Sequence, residues 1–72
     1  MYKDRIIYEG WRVSDFIANL EPTLDLIMSG RSYIKGERSK EWIKKWCMDN
    51  QPGYKKYIPE VVNYFVNKYV KK

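Results

Sequence analysis

Apolar residues recur at helical spacing in several places along the chain. Val13, Phe16, Ile17 and Leu20 keep the three- and four-residue steps of a buried helix face. Ser14 stands where a cap for this helix belongs, with Val13 and Ile17 placed to pack across it. Glu21-Pro22 predicts its end, because the residue before a proline is steered away from helical angles. The same proline suits the first turn of a second helix. Leu24, Ile27 and Met28 give that helix an apolar face, and Gly30 is a natural left-handed stop. Leu26 lies off this stripe, so either the face is wide or Leu26 is exposed to a partner.

The pattern breaks and restarts around Gly36. Residues 31–35 predict a further short turn of helix, and Ser39 then caps the clearest helix of the chain, spanning 39–48. Trp42, Ile43, Trp46 and Cys47 fall on one side of its wheel, while Lys40, Glu41, Lys44, Lys45 and Met48 point away. Asp49-Asn50-Gln51-Pro52-Gly53 is turn chemistry. Residues 54–58 read as an extended segment or a small wing. Pro59 opens a last helix, with Val61, Val62, Phe65, Val66 and Tyr69 on its apolar face. Ahead of the first helix, Arg5-Ile6-Ile7-Tyr8, closed by Gly10, is either a brief strand or an arm that tucks Ile6 or Tyr8 into the core.

The expected fold is therefore mainly α, a single domain over 1–72. It would hold four or five short helices and a helix-turn-helix, with residues 54–58 as a short β wing in one version. Seventy-two residues lie near the lower limit for a self-sufficient core. The 3 Trp, 7 Tyr and 2 Phe supply the bulk that aliphatic residues do not.

Charge is divided along the chain. Residues 1–30 hold three cations against five carboxylates, a net of −2, and residues 31–72 hold eleven against four, a net of +7, together the +5 of the whole. The basic half suggests a polyanionic partner. Chemistry for catalysis is missing: with no histidine there is no Ser-His or Cys-His pair. A single cysteine, Cys47, makes neither a thiolate zinc site nor a disulfide frame, and its place on an apolar face reads as a buried thiol. No glycine-rich phosphate loop occurs, and neither an enzyme nor a cofactor is expected. The charged start of the chain and the lack of a long apolar run predict a cytoplasmic protein, with no membrane and no small-molecule substrate.

Two surfaces carry the candidate function. Arg38, Lys40, Lys44 and Lys45, with Tyr54, Lys55 and Lys56 after the turn, are placed to meet DNA phosphates. Lysine grips phosphate well but discriminates bases poorly. Leu26, Met28, Arg31, Tyr33, Ile34 and Lys35 form an apolar-basic group suited to a protein partner.

The run Arg38-Ser39-Lys40-Glu41-Trp42-Ile43-Lys44-Lys45, followed by a turn, Tyr57-Ile58-Pro59 and an amphipathic helix, resembles excisionase-like winged helix-turn-helix proteins. That likeness implies a recognition helix at 39–48 and a wing at 54–58. The size and the acidic first half resemble the modulator-of-repression proteins of Gram-positive phages. The resemblance implies a regulator of the choice between lysogeny and lysis, in a bacterial host cell, acting on double-stranded DNA, on the phage repressor, or on both. An excisionase-like architectural protein and a small phage inhibitor of a host protein are the alternatives.

Overall fold

The computed structural model describes residues 3–71, and its elements in order are β1 (Ile6–Tyr8), β2 (Trp11–Arg12), α1 (Val13–Met28), α2 (Lys40–Asn50) and α3 (Pro59–Tyr69). The architecture is mainly α, with three helices among the described residues rather than four or five. The β structure is an N-terminal hairpin, not a wing at 54–58. Strands β1 and β2 pair antiparallel, Ile6 with Arg12 and Tyr8 with Trp11, through a bulge between Ile6 and Tyr8. Glu9 and Gly10 turn the chain with φ of 46° and 85°, the left-handed pair that a two-residue hairpin loop requires.

The largest departure from the expected pattern is at Pro22, which lies inside α1 and does not end it. Proline removes one ladder hydrogen bond and costs about 3 kcal/mol or more in a helix interior. Against that cost, the buried stripe Val13, Phe16, Ile17, Leu20, Leu24 and Ile27 keeps helical register straight through the proline. Leu24 and Ile27 are almost wholly buried, and each such side chain stabilises the fold by about 1.5–3 kcal/mol. Pro22 itself and Ala18, whose carbonyl loses its donor, are both exposed, so the unmatched carbonyl belongs to the solvent side of the helix. Continuing the helix therefore buries more than the proline costs.

The cap of α1 also differs from expectation. Arg12, not Ser14, is the N-cap residue, and its backbone N–H donates to Asp15 Oδ2 at 2.8 Å. Ser14 sits inside the first turn and donates from N and Oγ to the Asp4 carboxylate at 2.8 and 3.0 Å. A carboxylate from the arm thus occupies the positive end of the helix. At the other end, Gly30 (φ 80°) closes a Schellman motif: its N–H donates to Ile27 O and that of Arg31 to Leu26 O.

Residues 31–35 contain no helix; the chain there bends and stays irregular. A helix requires its own apolar stripe to bury, and this stretch has none: Tyr33 and Ile34 are exposed. The short helix expected just before Gly36 is therefore absent, and residues 29–39 connect α1 to α2 as a long loop. Gly36 fixes where this loop crosses the core. A Cβ at this position would lie 2.7 Å from Ile27 Cγ2 and 3.0 Å from Trp42 Cη2. Only a residue without a side chain lets the backbone pass between them. Ser39 then caps α2 as expected, accepting from Trp42 N at 3.2 Å.

Helix α3 packs against both α1 and α2, and one core cluster draws on all three, with Phe16, Ile43 and Phe65 fully enclosed. Pro59 occupies its first turn, and Val61, Val62, Phe65, Val66 and Tyr69 are its buried residues, the face the spacing predicts.

Candidate functional site

The structure sorts the cations into those consumed by the fold and those left outside it. Lys68 on α3 reaches across to α1, 2.7 Å from Glu21 Oε2 and 3.1 Å from Asp25 Oδ1. Tyr64 donates to the same Glu21 oxygen at 2.8 Å, and the Tyr69 hydroxyl donates to Asp25. The Tyr69 hydroxyl, then the Lys68 ammonium, hold the Asp25 carboxyl below its ordinary range. Burial, with Asp25 adding to it, pushes the Tyr69 phenol up to about 12. Arg5 pairs with Glu60 at the start of α3, and this bond lowers the carboxyl of Glu60 and raises the guanidinium.

Arg38, one of the candidate DNA contacts, stays exposed but is tied to the ends of two helices by its hydrogen bonds. Its Nη1 donates to Tyr69 O at 2.9 Å and its Nη2 to Met28 O at 3.2 Å. The guanidinium thereby joins the C-terminal ends of α1 and α3, where helix carbonyls are unsatisfied and the dipole favours a cation. Tyr54 is drawn inward. It is half-buried against Tyr8 and Phe16, with ring centroids 5.7 and 6.3 Å away. Lys45 pairs with Asp49 one turn on, at 2.8 Å, both well exposed.

The remaining candidates for nucleic acid are Lys40, Lys44, Lys55 and Lys56. All four are exposed, and among the described residues none makes an ion pair. Lys44 lies over the ring of Tyr57, 4.6 Å from its centroid. This cation–π contact, which the residue pattern did not reveal, draws the loop carrying Lys55 and Lys56 alongside the outer face of α2. The loop is held from inside by Gln51, which is buried and donates from Nε2 to Lys56 O at 3.0 Å. Helix and loop thus present one basic edge, interrupted by Glu41.

The second group of candidates gathers at the end of α1. Leu26 is 49% exposed, Ile34 40% and Tyr33 96%, whereas Met28 packs partly on the core. Leu26, Met28, Arg31 and Arg38 line one open cleft. Tyr33, Ile34 and Lys35 follow in the irregular stretch, where Ile34 N donates to Ser32 Oγ at 3.1 Å.

Cys47 is buried and its thiol is pushed up to about 12 by burial, so it is a packing group. Among the described residues no group of His, Cys, Asp and Glu is arranged to hold a metal ion, and no helix is long and apolar enough to cross a membrane. Comparison of the chain with protein-family models, with curated proteins and with solved structures finds no match in any of the three.

Proposed function

We propose that the chain is a non-enzymatic regulator of phage or mobile-element genes that sets α2 and the 54–58 loop against double-stranded DNA. The observation that carries this reading is the grouping of four exposed, unpaired lysines on α2 and the loop beside it. Lys68 and Lys45 are paired with carboxylates, while Lys40, Lys44, Lys55 and Lys56 remain unpaired on one edge joined by the Lys44–Tyr57 contact. An unpaired ammonium costs nothing to take from a protein partner and releases counterions when it meets phosphate. The lysine-rich face favours backbone contact over base reading. The phage setting, and with it the bacterial cytoplasm, rests on the resemblance described above.

Fluorescence anisotropy with a labelled duplex from the regulatory region beside the gene tests this. Binding should weaken steeply with salt, at a slope of log K on log salt of about −3 to −4 for four phosphate contacts. A wild-type protein that shows no binding at low salt would sink the reading.

Capture of the phage repressor is the second reading, favoured by the exposure of Leu26, Tyr33 and Ile34. In that case the protein should co-elute with the purified repressor, and Leu26→Asp should separate them while the fold persists. Co-elution unchanged by substitutions throughout residues 26–35 would remove it.

A further inference from the structure

The open cleft at the C-terminal ends of α1 and α3 has a volume of about 520 Å³. Its apolar part is Leu26 and Met28, and its polar wall carries Arg31, Arg38 and Lys68 against the single carboxylate of Asp25. These charges are not equivalent. Lys68 and Asp25 are engaged with each other and with Glu21 and Tyr69. Arg38 spends one N–H of each terminal nitrogen on a carbonyl and keeps further donors of its fork. Arg31 makes no side-chain hydrogen bond or ion pair among the described residues. Two guanidinium groups with donors to spare therefore share a cleft with exposed apolar surface.

We infer that this cleft takes an acidic amphipathic segment of a partner protein, with apolar side chains on Leu26 and Met28 and a carboxylate held by Arg31 and Arg38. The inference rests on the reading of residues 26–35 as a protein contact and names the chemistry of what covers it. Guanidinium forks recognise carboxylates in paired hydrogen bonds, which gives the contact direction as well as charge. A nucleic-acid backbone satisfies the arginines but leaves Leu26 and Met28 without an apolar counterpart. Tyr33 and Ile34, exposed beside the cleft, extend the same apolar-basic character. An aromatic residue so open contributes to a partner's interface at little conformational cost.

Amide chemical-shift titration of the isotope-labelled full chain tests this with three probes. One is an amphipathic peptide with leucines on one helical face flanked by glutamates; the second replaces each glutamate by lysine; the third is a 20-base-pair duplex. The glutamate peptide should shift the signals of Leu26, Met28, Arg31, Tyr33 and Arg38 and leave the outer face of α2 unmoved. The lysine peptide should bind at least about tenfold more weakly, as should the glutamate peptide to Arg31→Glu. Leu26→Asp should have the same effect, and circular dichroism should show both variants folded.

Equal shifts by both peptides at 26–38 would leave the protein-contact reading standing and overturn the acidic assignment. No peptide-induced shift in that region would overturn both. Shifts confined to Lys40, Lys44 and Lys45, or displacement of the peptide from the cleft by the duplex, would assign the arginines to polyanion binding and overturn the inference.

Discussion

The seam between α1 and α3 and the edge formed by α2 with the 54–58 loop use the same residue type for opposite ends. At the seam, Lys68 is partly exposed but shared between the carboxylates of Glu21 and Asp25 and lies over the Tyr69 ring, so its charge is engaged within the fold. At the edge, Lys40, Lys44, Lys55 and Lys56 have no carboxylate partner among the described residues, and the only ring contact is Lys44 over Tyr57. A lysine in a network with two carboxylates orders neighbouring helices, whereas an unpaired one adds only to the outward field. The cationic half of the chain is thus not uniformly a binding surface. The number of cations overstates what is available to a polyanion, because Lys68, Lys45 and Arg5 are already paired with carboxylates.

The two regions should respond differently to substitution. The largest effect is expected at the edge: Lys40→Glu with Lys44→Glu should lower duplex affinity by on the order of 100-fold at low salt. The thermal midpoint should barely move, since exposed substitutions usually fall within about 0.5 kcal/mol. A matched loss of stability would mean that the edge is part of the fold after all.

The joint between the regions comes next. Gly36→Ala places a methyl against Ile27 and Trp42 and should destabilise the fold by about 1–3 kcal/mol, as overpacking does. Chemical denaturation measures it, and a neutral result would show that the loop can shift aside. At the seam, Lys68→Met should cost about 1 kcal/mol, leaving Glu21 and Asp25 without their cation, while duplex affinity stays within about twofold of wild type, since Lys68 is turned to α1. An affinity loss as large as that of the edge variant would dissolve the distinction.

Acid should act on the seam through Asp25. Its carboxyl is lowered in the folded state, so the stability it contributes is complete above the unfolded value of about 3.9. That stability is lost as pH falls through the lower folded value. Asp25→Asn should therefore flatten the acid limb of the melting profile below about pH 4. An unchanged limb would transfer the acid sensitivity to Glu60, which Arg5 also lowers. The smallest effect is Lys45→Ala: the exposed pair with Asp49 should contribute less than about 0.5 kcal/mol.

Several elements were legible in the residue pattern because their causes are local. The α2 cap at Ser39, the proline start of α3, the glycine stop at Gly30 and both buried faces depend on spacing and turn chemistry within a few residues. The burial of Cys47 followed from the same wheels, whereas for Leu26 the wheel left a wide face and exposure both open, and the structure exposes it. At Pro22 the proline rule is local, while the outcome is set by Leu24 and Ile27 burying on the far side of the proline. The continuous spacing from Leu20 to Ile27 was the available signal, and it outweighed the proline.

The site was less legible than the fold. Residues 31–35 looked like a turn of helix but had no neighbour to bury against. Arg38 and Tyr54 looked outward-facing, yet the first bonds the ends of α1 and α3 and the second packs under the hairpin. Lys68 showed no hint of its role, because Glu21 and Asp25 lie far from it in sequence. Sequence alone determined which residues repeat on a helix face, where helices are capped and how much charge the chain carries. Tertiary structure decided which charges are spent, because an ion pair across a seam depends on which helices meet. That depends on burial summed over the whole core, a quantity with no local period to read.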